Sequence, residues 1–346
     1  MDEGKVPIEK LEKMMKLQGF LNSGVVTAGE IGKDAAVVNF LEAQRKAQKY
    51  YNSSKEAFIV LKTDPITFPT PEPGKYAVLV NANDVACSGA LSFGFLPTLI
   101  YPPSTTFEKI LEIQEQIHDE CMELGITILG GHSEISNSVN TPIVSGNMIG
   151  FVPSEYLVPN DLKLGDQILI VGYPGTEGTG IIIAEAGTKI TSILNEDEVK
   201  CGIALGSSLS ISQLIIELNK KFQPNLFHDL TEGGCFGALY ELVKFKDVGI
   251  KLFTKPSLSS VTKKLASSLS FDPYYLISSG AFFVSANPET ILEIQEYLSN
   301  KSYHCQVIGE VTEEGSIVRL GELIIQEPNG DEITTALKNL VNFNGD

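Results

Sequence analysis

The chain has 346 residues, a formal net charge of −17 at pH 7 and a hydrophobic content of 43 %, enough to bury a substantial core and to divide into two domains. So acidic a protein is poorly suited to gripping a nucleic-acid backbone, where cationic contacts to phosphate dominate affinity. Any anionic ligand has to be met by a local arrangement of amides, cations and metal.

From Pro7 the spacing of Leu11, Met14 and Met15 predicts a short amphipathic helix, ended by Gly19 and Asn22-Ser23-Gly24. Residues 35–40 and 57–61 read as strands, with the charged stretch 42–51 between them as a surface excursion. Pro65, Pro69, Pro71 and Pro73 predict a loop that joins no ladder. Asn81-Ala82-Asn83-Asp84 passes at once into small apolar residues, which reads as a helix N-terminus with Asp84 as a cap. Residues 93–101 are a predicted strand. Residues 105–124 form the clearest helix, with Thr105 and Glu108 in a capping-box spacing. A short strand over 126–129 enters Gly130-Gly131-His132-Ser133-Glu134, residues 143–152 return as a strand, and 153–159 read as a seam.

The second half opens with a buried strand from Leu164, followed by Gly172, Gly175, Gly178 and Gly180 and a polar, helix-like stretch towards Lys221. A strand over 225–227, a turn over 228–234 and a helix over 236–245 follow. Strands near 250–253, 281–285 and 307–308 then alternate with helices, one of them opened by Asn287-Pro288. Both halves mix β and α elements, so the expected class is α/β (α+β), with a domain at 1–157 and another at 158–346.

The chemistry is expected at carboxylates placed on strand or helix ends. Asp34, Asp64 and Asp84 are suited to a hard cation, since Mg²⁺ takes oxygen ligands and shares them with phosphates. The glycines carry no Gly-x-Gly-x-x-Gly after the first strand, and no Lys-Ser/Thr follows Gly175–Gly180. What recurs is a strand, then Gly-Gly, then polar residues: at Gly130-Gly131, and at Asp229-Leu230-Thr231-Glu232-Gly233-Gly234. Glycine allows close backbone approach, and a helix N-terminus offers N–H groups to phosphate. His132, beside Glu134, is a better functional candidate than His118, His228 or His304. Lys33 and Lys62 adjoin acids and read either as solvated neighbours or as phosphate contacts. Cys87 and Cys235 read as packing residues.

The motifs Gly32-x-Asp34-Ala-Ala-Val, Thr63-Asp64, Asn83-Asp84-Val-Ala, Gly130-Gly-His-Ser-Glu134 and Asp229-x-Thr-Glu-Gly-Gly234 stand in the order seen in one superfamily. Over nearly its whole length the chain resembles the aminoimidazole ribonucleotide synthetase superfamily, which includes selenophosphate synthetase, thiamine-monophosphate kinase and the hydrogenase-maturation dehydratase. The likeness is nearest to the synthetase-related, hydrogenase-maturation-like branch. The resemblance implies a homodimer formed by sheet pairing of N-terminal domains, with a C-terminal domain closing a cleft. It also implies ATP with Mg²⁺ as cofactors. Asp34, Asp64 and Asp84 would then be metal ligands, and Asp84, His132, Glu134 and Asp229 catalytic. Lys33, Lys62, Thr63, Asn83, Gly130, Gly131, Thr231, Gly233 and Gly234 would bind the nucleotide.

The implied function is phosphoryl transfer that activates an amide or carbonyl oxygen, or a phosphate, of a small metabolite. A non-catalytic nucleotide-binding maturation or scaffold protein is the alternative, prompted by Lys33 where many relatives have a second acid. No cysteine precedes Cys87 and none lies in Val341-Asn-Phe-Asn-Gly-Asp346, so the cysteine-dependent chemistries of the selenium and hydrogenase branches are not expected. Neither is a nucleic-acid or membrane partner. No apolar run spans a bilayer, Met1 is followed by no signal-peptide core, and the scattered cysteines suit a reduced compartment, so the expected location is cytoplasmic.

Overall fold

Helices and strands alternate through two units, Met1–Leu157 and Val158–Asp346, in a computed structural model that describes residues 3–67 and 70–343. Pro69 of the expected proline loop, residues 1–2 and the tail residues 344–346 lie outside the described residues.

The first unit runs β1 (Gly4–Lys5), α1 (Ile8–Met14), β2 (Val25–Thr27), β3 (Val37–Val38), α2 (Phe40–Tyr51), β4 (Ala57–Ile66), α3 (Pro73–Cys87), β5 (Leu91–Phe95), β6 (Thr98–Tyr101), α4 (Phe107–Glu123), β7 (Thr127–Ile128), β8 (His132–Ile135) and β9 (Ile143–Pro153). The long strand β9 is the spine of its main sheet. One edge of β9 pairs antiparallel with β4, from Ala57↔Pro153 to Ile66↔Val144. The other edge takes β6 and then β5, where the sequence predicts a single strand over 93–101. The break falls at Leu96-Pro97 because proline has no N–H for a ladder. The next line of chain, β7 and β8, pairs parallel to β5 and β6 and breaks in step at Gly130-Gly131. A Cβ on Gly131 would lie 2.2 Å from the Pro97 carbonyl oxygen, the same oxygen that accepts from the His132 N–H at 2.9 Å.

Helices α3 and α4 cover one face of this sheet, burying Ala77, Val85, Ile110, Ile113 and Ile117 against Phe95, Val144 and Met148. Each fully buried valine or isoleucine of this set contributes about 1.5–3 kcal/mol. Helix α2 covers part of the opposite face through Ala43 and Ala47, which pack on Phe93 and Phe151. The expectation of a surface excursion over 42–51 is thereby corrected. A seam of small residues four apart is enough to seat a helix whose outer faces are charged, and Asn39 caps it by accepting from Leu41 and Glu42 N–H groups. Two other expectations also change. Pro65 lies inside β4, tolerated because β4 pairs only with β9 among the described residues and an edge strand can spare an outward N–H. The cap of α4 is Thr106, whose hydroxyl accepts from the Lys109 N–H at 3.3 Å, and Thr105 stands outside.

The second unit runs β10 (Gln167–Val171), α5 (Thr176–Ala186), α6 (Glu196–Ser207), α7 (Ser212–Phe222), β11 (Leu226–Asp229), α8 (Gly234–Val243), β12 (Gly249–Leu252), α9 (Ser260–Leu269), β13 (Phe282–Ala286), α10 (Pro288–Asn300), β14 (Cys305–Thr312), β15 (Val318–Leu320), β16 (Leu323–Ile324) and α11 (Glu332–Asn342). Its sheet is ordered β11-β13-β10-β14-β12-β15-β16. Ile168, Ile170, Phe283 and Ile308 of this sheet pack with Phe236, Leu239 and Val243 of α8. His228 and Asp229, expected in a turn, close β11 by pairing with Phe283 and Phe282. The mixed α/β class holds in both units. Among the described residues no single helix is long and apolar enough to cross a membrane.

Candidate functional site

In the first unit Asp64 and Asp84 meet on the inner side of β4. Alternation along a strand turns residues two apart to the same face. Val60, Lys62, Asp64 and Ile66 are accordingly the less exposed set, whereas Ile59, Leu61, Thr63 and Pro65 are exposed. Val60 and Ile66 pack into the core beneath α3, and between them Lys62 and Asp64 look towards the same helix. There Asp84 completes a bridge: Lys62 Nζ stands 2.9 Å from Asp84 Oδ2 and 3.2 Å from Asp64 Oδ2. Burial by itself would lower the Lys62 pKa. Hydrogen bonding and charge attraction, first to Asp84 and then to Asp64, more than offset it and hold the ammonium well above the ordinary lysine range.

Asp84 is not a cap. Helix α3 begins at Pro73, and Asp84 sits in its last turn. The apolar run from Tyr76 to Val80 is helical and buried, so the amide-rich stretch continues a helix already under way. Asn81, one turn before Asp84, is fully buried. Its Nδ2 donates to the Ala77 and Asp64 carbonyls at 2.8 and 3.2 Å, while its Oδ1 has no hydrogen-bond partner among the described residues. Gly146 on β9, facing Asp64 in register, makes room for that amide: a Cβ there would lie 2.6 Å from Asn81 Nδ2.

The remaining predicted residues of this unit are distributed around that bridge. Thr63 donates from Oγ1 to the Gly146 carbonyl at 2.9 Å. Asn83 is buried in α3. Asp34 is exposed on the loop before β3, and its neighbour Lys33 pairs with Glu30 at 2.9 Å. Among the described residues no three His, Cys, Asp or Glu side chains converge as a metal-binding group, so Asp34 does not complete a cage with Asp64 and Asp84. Gly130 and Gly131 are followed by a strand, not by the helix N-terminus that sequence spacing suggested, because the segment is drawn into pairing with β6. His132 and Glu134 lie two apart on β8 and meet at Nε2···Oε2 3.0 Å, His132 exposed and Glu134 half-buried.

In the second unit Gly233 and Gly234, with φ of 77° and 63°, do lead into a helix N-terminus, that of α8. The turn is already served by an anion of the chain itself. Asp331, the cap of α11, accepts from Gly233 N–H at 2.8 Å, Ile277 N–H at 3.2 Å and Ile333 N–H at 2.7 Å. It thus draws together the turn after β11, the loop before β13 and the start of α11. Thr231 bonds into the same loop, accepting from Ser278 N–H through its carbonyl. Asp229 is buried at the end of β11.

Glu177, in the first turn of α5, is 5 % exposed. Ser279 holds its carboxyl, yet its Oε2 is buried without a hydrogen-bond partner among the described residues. Burial, opposed by Ser279 and reinforced by Asp331 and Glu232, pushes its pKa up to about 7. Burial likewise pushes the Cys235 thiol up, as befits a packing residue. Sequence reasoning missed Glu177, Asp331 and the amide of Asn81. Of these only Asp331 carried a local signal, a cap residue ahead of an amphipathic helix.

Residues 32–152 match the family model described as AIR synthase related protein, N-terminal domain, and residues 163–321 match its C-terminal domain. A Methanocaldococcus jannaschii protein named for hydrogenase expression/formation is 27 % identical over 278 residues, spanning 78 % of this chain and 80 % of its own length. Among solved structures, E. coli HypE aligns with a TM-score of 0.76 at 18 % identity, covering 95 % of this chain and 99 % of that one. A HypE in complex with ATP aligns at 0.69 with 17 % identity, covering 88 % and 90 %. A ThiL complexed with AMPPCP and TMP aligns at 0.63 with 19 % identity, covering 84 % and 96 %. At these identities the structural likeness establishes the fold.

Proposed function

The chain belongs to the AIR synthase related protein family, and on that footing we propose that it is a Mg²⁺-dependent, ATP-binding enzyme. It transfers a phosphoryl group to an amide or carbonyl oxygen, or to a phosphate, of a small metabolite. The observation that carries the reading is the convergence of Asp64 and Asp84 on one cationic centre, the Lys62 ammonium. That ammonium is a stand-in ion: it marks a position where two carboxylate oxygens accept one positive charge. The residues therefore fit a Mg²⁺ ion, which takes one or two carboxylates and fills its shell with phosphate oxygens and water. Asp64 and Asp84 would hold it, and bound there it would neutralise charge on the nucleotide phosphates. The ATP held by the aligned HypE and the AMPPCP held by the aligned ThiL support the nucleotide.

The chain's own groups supply the rest of the proposal. Lys62 and Lys33 offer charge to phosphate, and Thr63 with the Gly130-Gly131 backbone positions the ligand. His132, oriented by Glu134, takes up a proton from the acceptor. For the second unit we propose a catalytic role for Asp229 and a nucleotide-binding role for Thr231 and the Gly233-Gly234 turn.

We also assign the free edge of β4 to a homodimer contact. Phe58, Ile59 and Leu61 are exposed on this strand, which pairs only with β9 among the described residues, a combination that single chains rarely leave uncovered. Calorimetric titration with Mg²⁺-ATP and an assay of ADP release with a metabolite pool test the activity. Saturable binding with metabolite-stimulated ADP release is expected. Absence of binding overturns the reading, and binding without any stimulated release favours the scaffold alternative.

A further inference from the structure

We infer that Lys62 is a tethered cation that holds the divalent-ion position of this site, so that metal enters only by displacing it. The inference rests on the proposed metal role of Asp64 and Asp84. The two carboxylates approach one another from different elements, a strand and a helix, and Lys62 Nζ lies within 3.2 Å of an oxygen of each. Without a cation, two carboxylates this close repel one another. The lysine removes that cost within the free protein. Val60 and Ile66 pack into the core on either side of the bridge, so β4 has apolar contacts there besides the ion pair.

Occupancy is exclusive. Mg²⁺ binds oxygen at about 2.0–2.1 Å, and an ammonium about 3 Å from the same oxygens occupies the space a metal would need. The lysine stem is flexible and its ammonium has three donors. Once displaced, Lys62 is free to turn to an anionic phosphate brought by the nucleotide. The arrangement couples metal entry to nucleotide entry: metal alone faces competition from an internal charge, whereas metal with ATP offers Lys62 a new partner. Sequence position alone conveys none of this, since Lys62 adjoins Asp64 in the chain but meets Asp84 only through the packing of β4 on α3.

The test is Mn²⁺ binding to the full chain without nucleotide, followed by electron paramagnetic resonance of the free ion, in the wild type and in Lys62→Met. Methionine keeps the length and the apolar stem but removes the charge. The expected result is at least tenfold tighter Mn²⁺ binding in Lys62→Met, with the gain abolished in Lys62→Met/Asp84→Asn. Equal or weaker Mn²⁺ binding in a folded Lys62→Met overturns the inference, as does a gain that survives the second substitution. Lys62→Gln gives the same comparison should the methionine variant not fold. A wild type that fails to bind Mg²⁺-ATP, beside a Lys62→Met that gains an Asp84-dependent Mn²⁺ site, would sink the proposed activity and leave the tethered cation standing.

Discussion

Glu177→Gln should flatten the pH dependence of stability between pH 5 and pH 8. The carboxyl of Glu177 is buried in the first turn of α5 with one oxygen unpartnered among the described residues, and its pKa is raised from 4.5 to about 7. A carboxyl whose folded pKa exceeds its unfolded value favours the fold while protonated. Its contribution is fully present below pH 4.5 and is lost as the pH rises through 7. A tenfold change in a carboxyl's acidity between the unfolded and folded chain corresponds to about 1.36 kcal/mol, so the full effect is about 3 kcal/mol. Of that, roughly 2.5 kcal/mol disappears between pH 5 and pH 8. Glutamine has the same shape and no titration. Urea unfolding at half-unit pH steps, taken as wild type minus variant, isolates this carboxyl. It also removes the parallel contribution of Glu120, which burial, with Glu123 adding to the effect, likewise raises to about 7. Wild type should lose about 2.5 kcal/mol relative to the variant across that interval. Parallel pH profiles would refute the reasoning, because they would mean that Glu177 ionises in the fold without cost.

Asp84→Asn should weaken Mg²⁺-ATP binding by at least tenfold while leaving the free protein folded, as calorimetry on the two proteins will read; equal affinities remove Asp84 from the metal role. Leu61→Lys places a charge on an exposed residue of the free β4 edge and should leave a monomer in sedimentation velocity at concentrations where the wild type is a dimer. Gly131→Ala sets a Cβ 2.2 Å from the Pro97 oxygen at a φ of 138° and should cost about 3 kcal/mol in chemical denaturation. An unchanged midpoint would mean that the paired strand breaks can shift apart.

Much of the architecture was legible in the sequence because burial has a period. Helix α4 declared itself through Ile110, Ile117 and Cys121, which recur at helical spacing and are all buried. Strands β9, β10 and β13 showed as apolar runs, and the family motifs pointed to Asp64, Asp84 and the two Gly-Gly turns. The misreadings share a cause. Helix α2 looked like surface because its buried face consists mainly of alanines, and Asp84 looked like a cap because Asn and Asp cluster at caps whatever precedes them. Only tertiary structure decided which charge meets which. Lys62 found Asp84 because β4 docks on α3, and Asp331 reached Gly233 across 98 residues of chain. A side chain's preference for burial is set by its own chemistry and repeats with the local backbone geometry. The identity of its partner depends on which distant elements the fold brings into contact, and no local pattern records that.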